Sequence, residues 1–158
     1  MIAIDPKLDL VLERVIAVTP DKVWRAWTEP ELIEQWFTPK PWTISKCEVD
    51  LRLGGRFLTV MRSPDGEDFP YEGCYLETVP NSRLVWTSAL KAGYRPSVAA
   101  AGVPLFTATI SMTHEGDGTR YVATVRHGSA ADAKLHNDMG FHDGWGASLD
   151  QLVELMSA

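Results

Sequence analysis

Between Trp42 and His127 the chain runs through six period-two segments parted by turn-forming residues, and nothing else in the sequence constrains the fold as much. "WTISKCEVDL" and "RFLTVMR" are separated by Gly54 and Gly55, a pair suited to a turn that needs positive φ. "SPDGED" is a hairpin turn, with proline at its first central position and Asp-Gly behind it. "FPYEGCYLETV" and "RLVWTSAL" then flank the turn "PNS". After "KAGYRPSVAAAGVP", which has no clean period and is expected to be a mobile loop at one cavity mouth, "LFTATISMTHE" and "TRYVATVRH" close a last hairpin around Gly116, Asp117 and Gly118. Its alternation puts Tyr121, Ala123, Val125 and His127 on one face.

Helical patterns flank these segments. "LDLVLERVIAV", residues 8 to 18, adds a strand in which Leu8, Leu10, Leu12, Ile16 and Val18 share one parity and Asp9 and Glu13 the other. Thr19 and Pro20 start a short helix carrying Val23, Trp24 and Trp27, and Pro30 starts a second with Leu32, Ile33, Trp36 and Phe37 on one side. The three tryptophans read as a plug that seats these helices on one end of the sheet. From about Ala131 to Met156 the pattern predicts one long helix. The order implies an α+β domain: a curved antiparallel sheet of seven strands, with two short helices after the first strand and a long C-terminal helix. With 158 residues and 45% apolar content, residues 1–158 are expected to form a single domain.

Charge and cysteine usage exclude several classes. A net charge of −6 lacks the basic footprint that phosphate-backbone binding needs, so nucleic acid is not an expected partner. Cys47 and Cys74 lack CxxC spacing and read as reduced thiols. The N-terminal "MIAIDPKLDL" is not a signal peptide and no apolar run is long enough to cross a bilayer, so a cytoplasmic location without membrane association is expected.

"VWRAWTEPELIEQWF", "DLRLGGRF", "PDGEDFPYEG", "RLVWT", "GDGTRY" and "GFHDGWGASLDQL" occur in that order. In this the chain resembles the activator of heat-shock-protein-90 ATPase homologue family, within the START-like (SRPBCC) superfamily, over residues 8 to 156. The resemblance implies a helix-grip fold with a cavity between the sheet and the terminal helix. It implies little about function, because one fold hosts carriers, cyclases, receptors and chaperone activators. ATPase activation is the weaker implication. The eukaryotic co-chaperone has an additional N-terminal domain, whereas the first strand here begins near residue 8, so a chaperone contact is doubtful.

The expected function is binding of a small hydrophobic or aromatic molecule by a carrier, sensor or sequestering protein, as a monomer or homodimer and without a cofactor. On a helical wheel Phe141, His142, Trp145, Leu149, Leu152, Val153 and Met156 share an arc of about 120°. The distal aliphatic half suits core packing, while Phe141 and Trp145, beside Gly140, Gly144 and Gly146, suit a cavity wall. Trp42, Tyr71, Tyr75, Trp86 and Phe106 are the sheet aromatics available for the opposite wall, and strand register decides which of them face it. His142 would supply a polar contact near the mouth. Arg52 and Arg56 either face an acidic ligand group or pair with neighbours such as Glu77.

The alternative is a cavity enzyme of the polyketide cyclase or hydrolase kind. Of His114, His127, His136 and His142, the catalytic candidates are His127 and His142, expected to approach each other at the mouth. His136 falls about 120° from His142 on a straight helix, and no HExxH or paired HxH pattern supplies metal geometry.

Overall fold

Alternation, glycine turns and two proline-started helices generate the elements seen in the computed structural model, which describes residues 2–157. The chain begins with β1 (Asp9–Ile16), α1 (Pro20–Thr28) and α2 (Pro30–Trp36), followed by β2 (Thr43–Val49), β3 (Arg56–Arg62), β4 (Asp68–Val79) and β5 (Arg83–Thr87). A small ribbon, β6 (Leu90–Lys91) and β7 (Arg95–Pro96), precedes β8 (Phe106–Glu115) and β9 (Gly118–His127). α3 (Ala130–Asp138) and α4 (Phe141–Ser157) complete the chain.

Seven strands form one antiparallel sheet in the order β1-β9-β8-β5-β4-β3-β2, so the first strand pairs with the last. This is the helix-grip arrangement expected from the sequence. Register shifts between Ile44 and Lys46 and between Tyr75 and Glu77 bend β2 and β4, as bulges do. Rows of side chains cross the inner face. Tyr75 stands opposite Trp86, Trp86 opposite Ala108, Ala108 opposite Val125 and Val125 opposite Leu10. The next row is Leu84, Ile110, Ala123 and Leu12. Small Ala108 and Ala123 occupy the middle, and wide rings gather toward β4 and β5.

α4 covers this face with Phe141, Leu149, Leu152 and Met156, all in one core cluster with the sheet rows. Each such side chain contributes roughly 1.5–3 kcal/mol by leaving water. Polar contacts set the position of the helix. The Ser148 hydroxyl donates to Phe37 O at 3.2 Å. Gln151 donates from Nε2 to Trp36 O at 3.0 Å and Thr38 O at 2.9 Å, while its Oε1 accepts from Lys40 N at 3.0 Å. From β1, Arg14 reaches Asp150 at 2.6 Å and lies across Gly146, where a Cβ would stand 2.7 Å from the guanidinium. Gly146 therefore leaves room for the Arg14 guanidinium.

The short helices plug one end of the sheet, as the tryptophan spacing predicts. Trp27 and Trp36 are buried edge to face at 5.0 Å, with Trp27 Nε1 donating to Tyr121 Oη at 3.2 Å and Trp36 Nε1 to Ala26 O at 2.8 Å.

Two expectations need correction. The C-terminal region is two helices: Gly140 has φ +90°, and its N–H bonds Asn137 O at 3.0 Å in a left-handed stop before α4 starts at Phe141. The segment "KAGYRPSVAAAGVP" is also not loop throughout. Gly93 N donates to Gly54 O at 2.8 Å, and the Tyr94 ring lies where a Cβ on Gly54 would meet it at 2.8 Å, so its first half docks on the β2–β3 turn.

Gln151→Ala strands the carbonyls of Trp36 and Thr38, and a urea melt should show a loss of about 1–3 kcal/mol. Glu154→Ala, at an exposed position on the same helix, should stay within about 0.5 kcal/mol of the parent.

Candidate functional site

The end of β9 brings together groups that lie far apart in sequence. His127 is its last residue, opposite Phe106 on β8, and its Nδ1 is 2.8 Å from Leu8 O. Its Nε2 is 2.8 Å from Nδ1 of His136, buried on α3. A carbonyl only accepts, so the His127 Nδ1 carries a proton. With both rings neutral, His136 Nδ1–H donates to His127 Nε2, and His136 Nε2 is the remaining acceptor. Burial, and then the neighbouring His127, push the His136 pKa down to about 4. Ser129 fixes the start of α3 by accepting from Asp132 N at 3.1 Å.

Around this pair runs a continuous series of rings. Phe106 stands 5.0 Å from His136, which stands 5.3 Å from Phe141, with Trp145 a further 5.0 Å on. In the other direction Phe106 meets Trp86 at 5.3 Å, Trp86 meets Phe57 at 5.1 Å and Phe57 stacks on Tyr75 at 5.4 Å. Gly73, opposite Phe57, has no side chain because a Cβ would lie 2.9 Å from Thr87 O and 3.3 Å from the Trp86 ring. A cleft of about 450 Å³ opens at the Phe106 end, walled also by Ala89, Leu105, Thr107, His127 and Gly128 and by the charged Arg126 and Asp132. Behind Phe106 and outside the lining of this cleft, Tyr75 Oη and Trp86 Nε1 are buried without a hydrogen-bond partner. Each unmade bond of this kind costs about 1–3 kcal/mol.

The expected lining residues therefore divide. Trp86, Phe106, Phe141 and Trp145 stand together, with Tyr75 joined to them through Phe57. Trp42, just before the edge strand β2, packs on Phe69 at 5.6 Å, and Tyr71 stands on β4 four residues before Tyr75; both remain exposed. His142 is exposed and packs edge-on against Phe141 at 5.0 Å. His127 meets His136 instead. Sequence reasoning missed His136 because it measured that residue's angle along one unbroken helix, and Gly140 removes the premise. It also missed Phe57, which the alternation of "RFLTVMR" places on the inner face.

Arg52 and Arg56 are both paired. Arg52 bonds Asp50 at 2.8 Å, and Arg56 lies 3.5 Å from Glu48 and 3.6 Å from Glu72, while Glu77 takes Arg83 at 2.8 Å. They border a separate cleft of about 540 Å³ under Tyr94, away from α4.

Chemically, the inner site can stack flat apolar groups, donate hydrogen bonds from Tyr75 and Trp86, and take a proton at His136 Nε2. Cys47 is a free thiol whose pKa burial, then Glu34, Glu31 and Glu48, push up to about 12, so it is not a ready nucleophile at neutral pH. Among the described residues no three His, Cys, Asp or Glu side chains are grouped to hold a metal ion, and no helix is long and apolar enough to cross a membrane.

Solved structures share this architecture. A protein from Nitrosomonas europaea is 51% identical, with 98% of this chain and 97% of its own covered at a TM-score of 0.92. One from Chromobacterium violaceum is 25% identical, with 95% and 97% covered and a TM-score of 0.75. A third, from Mycobacterium smegmatis, is 22% identical, with 96% and 92% covered at a TM-score of 0.79, and shows the fold alone. No curated protein matches the chain. The model of the family described as "Activator of Hsp90 ATPase homolog 1-like protein" matches residues 17–157. The START-like fold, the six sequence motifs and this match agree: the chain belongs to the family of activator of Hsp90 ATPase homolog 1-like proteins.

Proposed function

We propose that this protein binds a small hydrophobic or aromatic molecule against the inner face of its sheet, entering at the cleft beside Phe106 and His127. The observation that carries the reading is the run of rings from the cleft wall inward, Phe106, Trp86, Phe57 and Tyr75, roofed at its outer end by Phe141 and Trp145. Wide flat surfaces of this kind supply stacking area with little conformational entropy to lose. The family's name describes an activator, but one fold supports many functions, so the reading rests on the site.

A second reading, proton transfer to or from a bound ligand, is favoured by one observation. The Leu8 O, His127, His136 series orients His136 as a chain of hydrogen bonds orients a catalytic imidazole. The base in this reading is His136. His127 holds its tautomer, and the expected His127–His142 pair is replaced. A base with a pKa of about 4 is weak at neutral pH, which places this reading second.

The two halves of the α4 stripe separate the binding reading from plain core packing. Leu149→Ala should lower stability by about 2–5 kcal/mol. Trp145→Ala, at a half-buried position, should cost less and should weaken binding of a naphthalene-based fluorescent probe at least about tenfold, or about 1.4 kcal/mol. Melts and titrations on both variants check this, and equal destabilisation with unchanged probe binding would refute it.

The histidine pair predicts a pH dependence. The pKa of His136 is lower in the folded protein than its ordinary 6.5, so the unfolded chain binds the extra proton as pH falls. The stabilisation is complete above about pH 6.5 and is lost as the pH drops towards about 4. The parent's melting temperature should therefore fall more steeply across this window than that of His136→Phe, and parallel curves would contradict the assignment. If the site turns over a ligand, general-base activity should decline on the acid side near pH 4 and vanish in His136→Phe.

A further inference from the structure

Most buried polar tips in this core are satisfied within the fold. Trp27 Nε1 has Tyr121 Oη, Trp36 Nε1 has Ala26 O, and Thr119 Oγ1 has Val18 O. Tyr75 Oη and Trp86 Nε1 are different. Tyr75 is fully buried and Trp86 is 7% exposed, yet neither polar atom has a partner. The two residues stand directly opposite each other on β4 and β5, and both rings pack on Phe57. Phe106 touches Trp86 on one side and walls the cleft on the other, so this ring separates the two donors from the opening.

The chemistry of the donors limits what can satisfy them. An indole N–H only donates, and a phenol O–H can donate as well as accept, so an acceptor oxygen can satisfy both. Arg126 lines the cleft together with Asp132, on the far side of Phe106 from the two donors. Arg14, the arginine in the β1 register opposite Tyr121, is tied to Asp150 at 2.6 Å. Burial also raises the pKa of the Tyr75 phenol, the direction expected of surroundings that disfavour negative charge. An apolar lining around two unpaired donors matches an uncharged acceptor.

Resting on the binding reading above, we infer that the ligand is an uncharged, flat aromatic molecule bearing a carbonyl oxygen, which accepts hydrogen bonds from Tyr75 Oη–H and Trp86 Nε1–H. The carbonyl enters first, past Phe106. The hydrocarbon body remains among Phe106, Phe141 and Trp145.

Three probes of similar size test this: acetylnaphthalene, ethylnaphthalene and naphthoate, titrated by calorimetry against the parent, Tyr75→Phe and Trp86→Phe. The ketone should bind the parent at least about tenfold more tightly than the hydrocarbon. Each single variant should shrink the ratio of ketone to hydrocarbon affinity, which isolates the hydrogen bond from any change in stacking shared by the two probes. The infrared carbonyl stretch of bound ketone should move to lower frequency in the parent and move back in Tyr75→Phe, a readout available even if Trp86→Phe folds poorly. Equal binding of ketone and hydrocarbon overturns the carbonyl inference and leaves the binding reading intact. Tightest binding by naphthoate overturns the uncharged acceptor. Failure of all three probes to bind at millimolar concentration overturns the inference together with the reading on which it rests.

Discussion

A single curved sheet has an inner face that must leave water, and in this protein one C-terminal helix with a short partner does most of the covering. The remaining features follow from how α4 is seated. Leu149, Leu152 and Met156 share a core with Ala108, Ala123, Ile110 and Leu84, where small sheet residues accept large helix residues. Gln151 and Ser148 tie the same helix to the end of α2 and the residues after it, and Arg14 ties it to the first strand. This half of the interface is fully bonded. It provides the fixed frame against which the other half can differ.

The other half is composed differently. From Tyr75 to Trp145 the packing is ring on ring, and two buried donors are left without acceptors. A core selected only for stability would place phenylalanine at both positions, since a buried donor without a partner works against folding. The nearby plug shows that this fold can satisfy buried indoles, because Trp27 and Trp36 both find oxygens. Departures from local rules that carry no compensation inside the fold tend to mark functional sites. The break at Gly140 falls at the same end of the molecule, between the helix that carries His136 and the helix that carries Phe141 and Trp145.

Much of this was legible in the sequence, for identifiable reasons. Strands such as "RFLTVMR" and "TRYVATVRH" have one buried face, so alternation gives both their existence and their facing. Pro20 and Pro30 mark helix starts because proline fits the first turn and few other places in a helix. The break in the terminal helix was not legible. "NDMGFHDGW" continues a helical stripe on either side of Gly140, and only the backbone shows that this glycine has φ +90°. That residue alone misplaced His136 and paired His127 with the wrong partner. Trp42 and Tyr71 share strand-like context with Trp86, but Trp42 lies beside the edge strand β2 and Tyr71 on the exposed first part of β4, positions that a linear pattern does not encode. The roles of Gln151 and Arg14 depend on contacts across more than a hundred residues, so a wheel showed only polar positions.

The central claim, that the unpaired indole of Trp86 is a ligand donor, is tested most directly by nuclear magnetic resonance of the tryptophan indole N–H signals, six in this chain, during titration with acetylnaphthalene. The account predicts a downfield shift of the Trp86 indole proton as its nitrogen gains an acceptor, loss of that shift when ethylnaphthalene replaces the ketone, and unmoved signals from Trp27 and Trp36, whose bonds are already made. A saturable titration that leaves the Trp86 signal in place would contradict it.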